Sequence, residues 1–162
     1  MSAGPTFGQS NGTVTATVQV QAAACITINP TSFAYPASGL STASALNQVV
    51  PAVGTNKPVA TNCSSVSENF LAQGAAATGQ GAIWQLVQSI DCTIGNTNQY
   101  RHDVRLTSGS FGALSTTDQT WQSNIPANNT KTLDTQLTMP CTGSDGVSVT
   151  MSMPIVITAV VQ

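Results

Sequence analysis

The sequence predicts an all-β fold: a single-domain β-sandwich of immunoglobulin-like or jelly-roll-like type, with an N-terminal extension strand. Three observations predict it. Apolar and polar residues alternate with period two in several stretches, most cleanly over Thr13–Gln21, where Val14, Ala16, Val18 and Val20 take the even positions and Thr or Gln every odd one. Gly, Pro and Asn punctuate the chain at short intervals, as the turns of a many-stranded domain require. No stretch longer than a few residues carries a 3.6-residue apolar period with caps. About nine strands fit this pattern, and 162 residues suffice for one domain with a sizeable core.

The elements follow in order. Residues 1–12 hold Gly4, Pro5, Gly8 and Gly12 and read as a leader; with strand 13–21 they form a segment 1–21 distinct from the sandwich domain 22–162. Ala22-Ala23-Ala24 is a neutral spacer before a short strand at Cys25–Ile28, which stops at Asn29-Pro30. Ser32–Tyr35 is a further extended piece whose Phe33 and Tyr35 share a face. A short strand is expected at Leu46–Val50 inside a long loop, another at Lys57–Cys63, and one anchored by Phe70-Leu71. Gln73–Gly81, with three glycines, is expected to be a loop; it lacks the Gly-Lys-Ser/Thr ending of a phosphate-binding loop. Ala82–Gln88 is an apolar strand. In the next, Tyr100, His102, Val104 and Leu106 take one face and Arg101, Asp103 and Arg105 the other, which reads as a solvated surface with opposite charges placed to pair. Residues 107–129 read as turn-rich with isolated anchors at Phe111, Leu114, Trp121 and Ile125. Lys131–Met139 alternates again, and after the Asp145-Gly146 turn a long strand runs from Val147 to Val161. Pro154 removes a ladder donor midway, so this strand is expected to lie at an edge there or to change partner sheets.

Composition narrows the function. Charged residues make up 6% of the chain against about 25% in average globular proteins, while 23 Thr, 17 Ser, 11 Asn and 13 Gln must solvate the surface. A net charge of −2 with four scattered basic residues leaves no basic patch for nucleic acid or an anionic membrane surface. No apolar run approaches the roughly 20 residues that span a bilayer, and the first residues show no basic n-region or apolar h-region, so no signal peptide is visible. Cys25, Cys63, Cys92 and Cys141 are widely spaced and His102 is the single histidine, which argues against a metal site and for two disulfides in an oxidising compartment. Three pairings are open; the positions of predicted strand ends favour Cys25–Cys63 with Cys92–Cys141. Asn-x-Ser/Thr triplets at Asn11, Asn62 and Asn128 permit glycosylation without demanding it.

No constellation announces a reaction. His102 and Asp103 are neighbours on a strand and point to opposite faces, so the aspartate is not placed to orient the imidazole as in a hydrolytic triad. The remaining acids, Glu68, Asp91, Asp118, Asp134 and Asp145, are isolated in sequence, and no enzymatic role, cofactor or metal is expected.

The leader followed by Thr13–Gln21, the Ala22–Ala24 spacer, Cys25 opening the next strand with Cys63 as its partner, and the neutral Thr-rich composition resemble the subunits of chaperone–usher pilins and of related bacterial and archaeal surface fibres. In those fibres an N-terminal alternating strand of one subunit completes the sandwich of the next. The resemblance implies a structural subunit of an extracellular filament, a pilus-like head-to-tail homopolymer at the cell surface with roles in adhesion and biofilm, in which Val14, Ala16, Val18 and Val20 enter a neighbouring copy and an assembly chaperone is a further partner. The alternative is a monomeric or capsid-like, surface-decorating sandwich that binds glycans, with Trp84, Trp121 and Tyr100 as stacking residues.

Overall fold

The computed structural model describes residues 22–35, 49–51, 57–93, 97–141 and 150–162. The strand expected at 13–21 and the segment 1–21 lie outside the described residues, as do Asn11 and the Asp145-Gly146 turn.

The described chain is all-β. Its strands are β1 (Ile26–Asn29), β2 (Val49–Pro51), β3 (Val59–Asn62), β4 (Glu68–Gly74), β5 (Ala77–Gly79), β6 (Ala82–Leu86), β7 (Gln99–Arg105), β8 (Phe111–Ala113), β9 (Gln119–Ile125), β10 (Thr130–Thr132), β11 (Thr135–Thr138) and β12 (Ile155–Val161). They form three sheets: β1-β3-β10; β2-β11-β7-β6-β5, with β8 also on β7; and β12-β4-β9. Pairing is antiparallel except between β6 and β7.

The sheet β12-β4-β9 lies over the other two. Phe70 and Ala72 of β4 and Trp121 and Ile125 of β9 pack in one buried cluster with Ala60 of β3, Val104 of β7, Leu114 and Leu133. The Phe70 and Trp121 rings stack with centroids 6.1 Å apart, and the Trp121 indole N–H donates to the Arg105 carbonyl at 2.9 Å. A second cluster gathers Ala77, Trp84, Tyr100 and Leu137, covered by Tyr35, Met139, Met151 and Met153. Phe33 packs against the first cluster and Tyr35 against the second, although residues 32–35 form no strand.

Several expectations are corrected. The Gln73–Gly81 loop contains the end of β4 and all of β5, which turns into β6 through Gln80-Gly81 with φ of 40° and 88°. Both central residues have positive φ, as in the hairpin turn whose twist matches that of its strands. The turn-rich region 107–129 contains β8 and β9; β9 escapes a period-two reading because its register on β4 shifts twice. The single strand expected over Lys131–Met139 is two, β10 on β3 and β11 on β7, so the chain passes from one sheet to the next at Leu133-Asp134. Pro154 marks a similar exchange: Ser152 bridges Thr78 of β5, whereas β12 beyond the proline pairs with β4. The change of partner sheets expected at Pro154 is observed.

Both disulfides are present, Cys25–Cys63 and Cys92–Cys141. The first joins the entrance of β1 to the exit of β3. The Cys63 N–H donates to the Cys25 carbonyl at 3.0 Å, extending the β1–β3 ladder to the bridge itself.

Candidate functional site

The residues singled out for chemistry are engaged within the fold. Burial of His102 at 1% exposure holds its imidazole neutral, with a pKa lowered to about 4; the nearby Asp103 carboxylate opposes this more weakly. Tyr35 Oη lies 2.6 Å from His102 Nε2 and donates to Thr135 Oγ1 at 2.7 Å, which leaves Nε2–H as the donor to Tyr35. Burial likewise pushes the Tyr35 hydroxyl well above its ordinary range and the Tyr100 hydroxyl up to about 12. Asp103 is not on a solvated face as expected: it is 1% exposed, and its carboxylate accepts from Arg101 Nε at 2.7 Å and Gln136 Nε2 at 2.8 Å. The pairing of opposite charges two residues apart on β7 is observed. Among the described residues no three His, Cys, Asp or Glu side chains gather as metal ligands.

The rings named for sugar stacking are core. Trp84, Tyr100 and Trp121 are 4%, 0% and 1% exposed, so none presents a face to a ligand. Of the glycosylation triplets, Asn128 sits at an exposed turn with φ 63°, whereas Asn62 is fully buried. The Asn62 amide donates to the carbonyls of Val66 and Ile125 at 2.8 Å each and accepts from Ser64 N and Oγ. In the folded domain that side chain clasps the chain from Ser64 to Val66 to the end of β9.

One feature of the sandwich has no internal account. β3 is central in β1-β3-β10, and β4 is central in β12-β4-β9. β9 leads directly into β10 through residues 126–129, tied down by hydrogen bonds from Asn128 N–H to the Asn62 carbonyl and from Asn62 N–H to the Asn129 carbonyl. That side of the sandwich is closed by the chain itself. The opposite side is flanked by β1 and β12, each of which has a ladder on one edge only among the described residues. Their ends meet at the start of β4, where Cys25 N–H donates to Glu68 Oε1 at 2.7 Å and Gln162 N–H to the Ser67 carbonyl.

Ile26 and Ile28 of β1 and Ile155, Ile157 and Ala159 of β12 all pack against the main core, yet each remains only partly buried. Their neighbours one strand inward, Ala60, Phe70 and Ala72, are at most 2% exposed. Burial thus falls away toward β1 and β12 together. The apolar alternation of both strands was legible in the sequence. That they flank the same open side was not, because 125 residues separate Asn29 from Ile155.

Glu68, read from sequence only as an isolated acid, is fully buried at the end of this side. Its second oxygen, Oε2, has no hydrogen-bond partner among the described residues.

The fold and this site define an all-β, sandwich-like domain with two disulfides, a feature compatible with an extracellular location. No protein-family model, curated protein or solved structure matches the chain. No helix among the described residues is long and apolar enough to cross a membrane.

Proposed function

We propose that this protein is a structural subunit of an extracellular, pilus-like filament, and that it polymerises head to tail by inserting Thr13–Gln21 of one copy between β1 and β12 of the next. The observation that supports the reading is the side shared by β1 and β12: two strands that each have a ladder on one edge only among the described residues, and five core-facing aliphatic side chains that are partly buried. An added strand supplies the missing hydrogen bonds and covers that apolar surface in one step. Thr13–Gln21 has the required form, with Val14, Ala16, Val18 and Val20 on one face and uncharged Thr and Gln on the other.

Insertion into a second copy is favoured over return to the same domain. Residues 22–25 enter β1 without a turn or bend, and Ala22-Ala23-Ala24 has none of the Gly, Asn or Asp chemistry of a tight hairpin between adjacent strands. A contact of donor strand to acceptor edge does not close on itself, so it propagates as a fibre.

Size-exclusion chromatography and negative-stain microscopy of the full-length chain, beside a chain lacking residues 1–21, test the reading. Extended polymers of the first, and their loss in the second, are expected. A full-length protein that stays a compact monomer, with a truncation that simply unfolds, rules it out.

A further inference from the structure

We propose that the Cys25–Cys63 disulfide is the tension clamp of the filament: it passes pulling force from residues 22–25 directly into β3 and so keeps β1 from being peeled off the subunit. The inference rests on the insertion reading above and adds to it a mechanical role for one of the two bridges.

With Thr13–Gln21 seated in a neighbour, residues 22–25 are the tether between that neighbour and the subunit's own body. The tether ends at Cys25, where several bonds meet. The sulfur is joined to Cys63, the carbonyl accepts from the Cys63 N–H at 3.0 Å, and the N–H donates to Glu68 Oε1 at 2.7 Å. Beyond Cys25 the chain becomes β1, a strand of 4 residues whose ladder on β3 runs from Ile26↔Asn62 to Asn29↔Val59.

Tension on the tether loads that ladder from its Cys25 end. A ladder pulled from one end yields pair by pair, Ile26 from Asn62 first, and each backbone hydrogen bond contributes only modestly on its own. The same strand flanks the side that receives the preceding copy's segment, so losing β1 frees that segment and the filament parts. The disulfide lies just outside the first pair, at the end where peeling starts. Force on Cys25 therefore bypasses the ladder and reaches Cys63 through a covalent bond. The next residue inward is Asn62, whose side chain donates to the Val66 and Ile125 carbonyls and whose main chain is bonded to Asn128 and Asn129. Those bonds anchor the exit of β3 to the end of β9 and to the 126–129 turn, on the side of the sandwich away from β1 and β12.

Cys92–Cys141 has no such place: neither cysteine lies on β1, on β3 or in the tether. The sequence separations are 38 residues for Cys25–Cys63 and 49 for Cys92–Cys141, so the two bridges restrict the unfolded chain about equally. A purely stabilising role makes them interchangeable. A clamp does not.

The test uses filaments of the oxidised full-length chain and of its Cys92→Ser, Cys141→Ser variant. Each is sheared by a fixed flow before and after a thiol reductant, and lengths are measured in negative stain. Cys63 is exposed, so a small thiol reaches the bridge. Variant filaments, with Cys25–Cys63 as their remaining bridge, are expected to survive shear at wild-type length while oxidised and to lose their long species under the same shear once reduced; unsheared, the reduced filaments stay long. The Cys25→Ser, Cys63→Ser chain is expected to give filaments that break under that shear without any reductant. If the Cys92→Ser, Cys141→Ser chain forms no filaments, wild-type filaments reduced and sheared carry the same test, with alkylation and mass spectrometry confirming that Cys25 and Cys63 have opened. Reduced filaments that resist shear as oxidised ones do, reduced filaments that fall apart unsheared, or equal fragility on loss of either bridge each overturn the clamp and leave the insertion reading standing. A full-length chain that forms no filaments and stays monomeric overturns both.

Discussion

His102 enters the core with one ring nitrogen on Tyr35 and the other, Nδ1, buried without a partner among the described residues. Burial strips a protonated ring of the water that would solvate its charge, which is why the folded protein resists protonation at Nδ1. The folded-state pKa of about 4 lies below the 6.5 of an unfolded chain, so the unfolded form gains the proton first as pH falls. Stability from this group is complete above about pH 6.5 and shrinks by about 3 kcal/mol by pH 4. Denaturant unfolding at pH 7 and pH 4 should show that loss, and His102→Gln should lose correspondingly less over the same interval. Asn62 is the opposite case, a buried amide with every contact made. Asn62→Asp turns a carboxylate toward the carbonyls of Val66 and Ile125, and a loss of about 2–4 kcal/mol in chemical unfolding is expected, from two missing donors and a buried repulsion. Neither residue is legible as special in sequence. A histidine among Tyr100, Val104 and Leu106 predicts burial, but its hydrogen-bond partner, Tyr35, comes from 67 positions away.

Strand existence was readable where alternation was uninterrupted, as in β7 and in β12 beyond Pro154. It was lost where the sheet itself breaks the period. β9 carries register shifts that bury Trp121 and Gln122 in succession, and β10–β11 looks like one strand because the passage between sheets at Leu133-Asp134 leaves no Gly or Pro behind. β5 was hidden in a glycine-rich segment, since Gln-Gly is a weaker hairpin signal than Asn-Gly. That weakness is measurable: Gln80 holds φ 40°, a conformation Asn tolerates better, so Gln80→Asn should raise stability by roughly 0.5–1 kcal/mol, seen as a higher Tm. The disulfide pairing drawn from strand ends is the one observed. For Cys25–Cys63 the reason holds in full, the bridge capping the β1–β3 ladder; Cys92 lies between β6 and β7 and not at a strand end.

At the scale of the molecule, β12 has two unlike faces. Its core side is partly buried, while its outer side shows Val156 at 48% and Val160 at 42% exposure. If insertion between β1 and β12 builds the polymer, Val18→Asp in the donor strand abolishes filaments in negative stain, because a carboxylate cannot enter an apolar interior unpaired. Val156→Thr and Val160→Thr leave assembly intact, since those side chains point away from the inserted strand. Filaments lost in the outer-face variants and retained in Val18→Asp would place assembly on the outer sheet face instead. The sequence by itself determined the all-β class, the neutral hydroxyl- and amide-rich surface and the period-two pattern of residues 13–21, because these follow from local composition and from the alternation of side chains along a strand. Only the tertiary structure decided that β1 and β12 flank the same side of the sandwich and that Glu68 lies buried at its end. Those facts depend on which distant strands share a core, and backbone pairing across more than a hundred residues leaves no local mark in the chain.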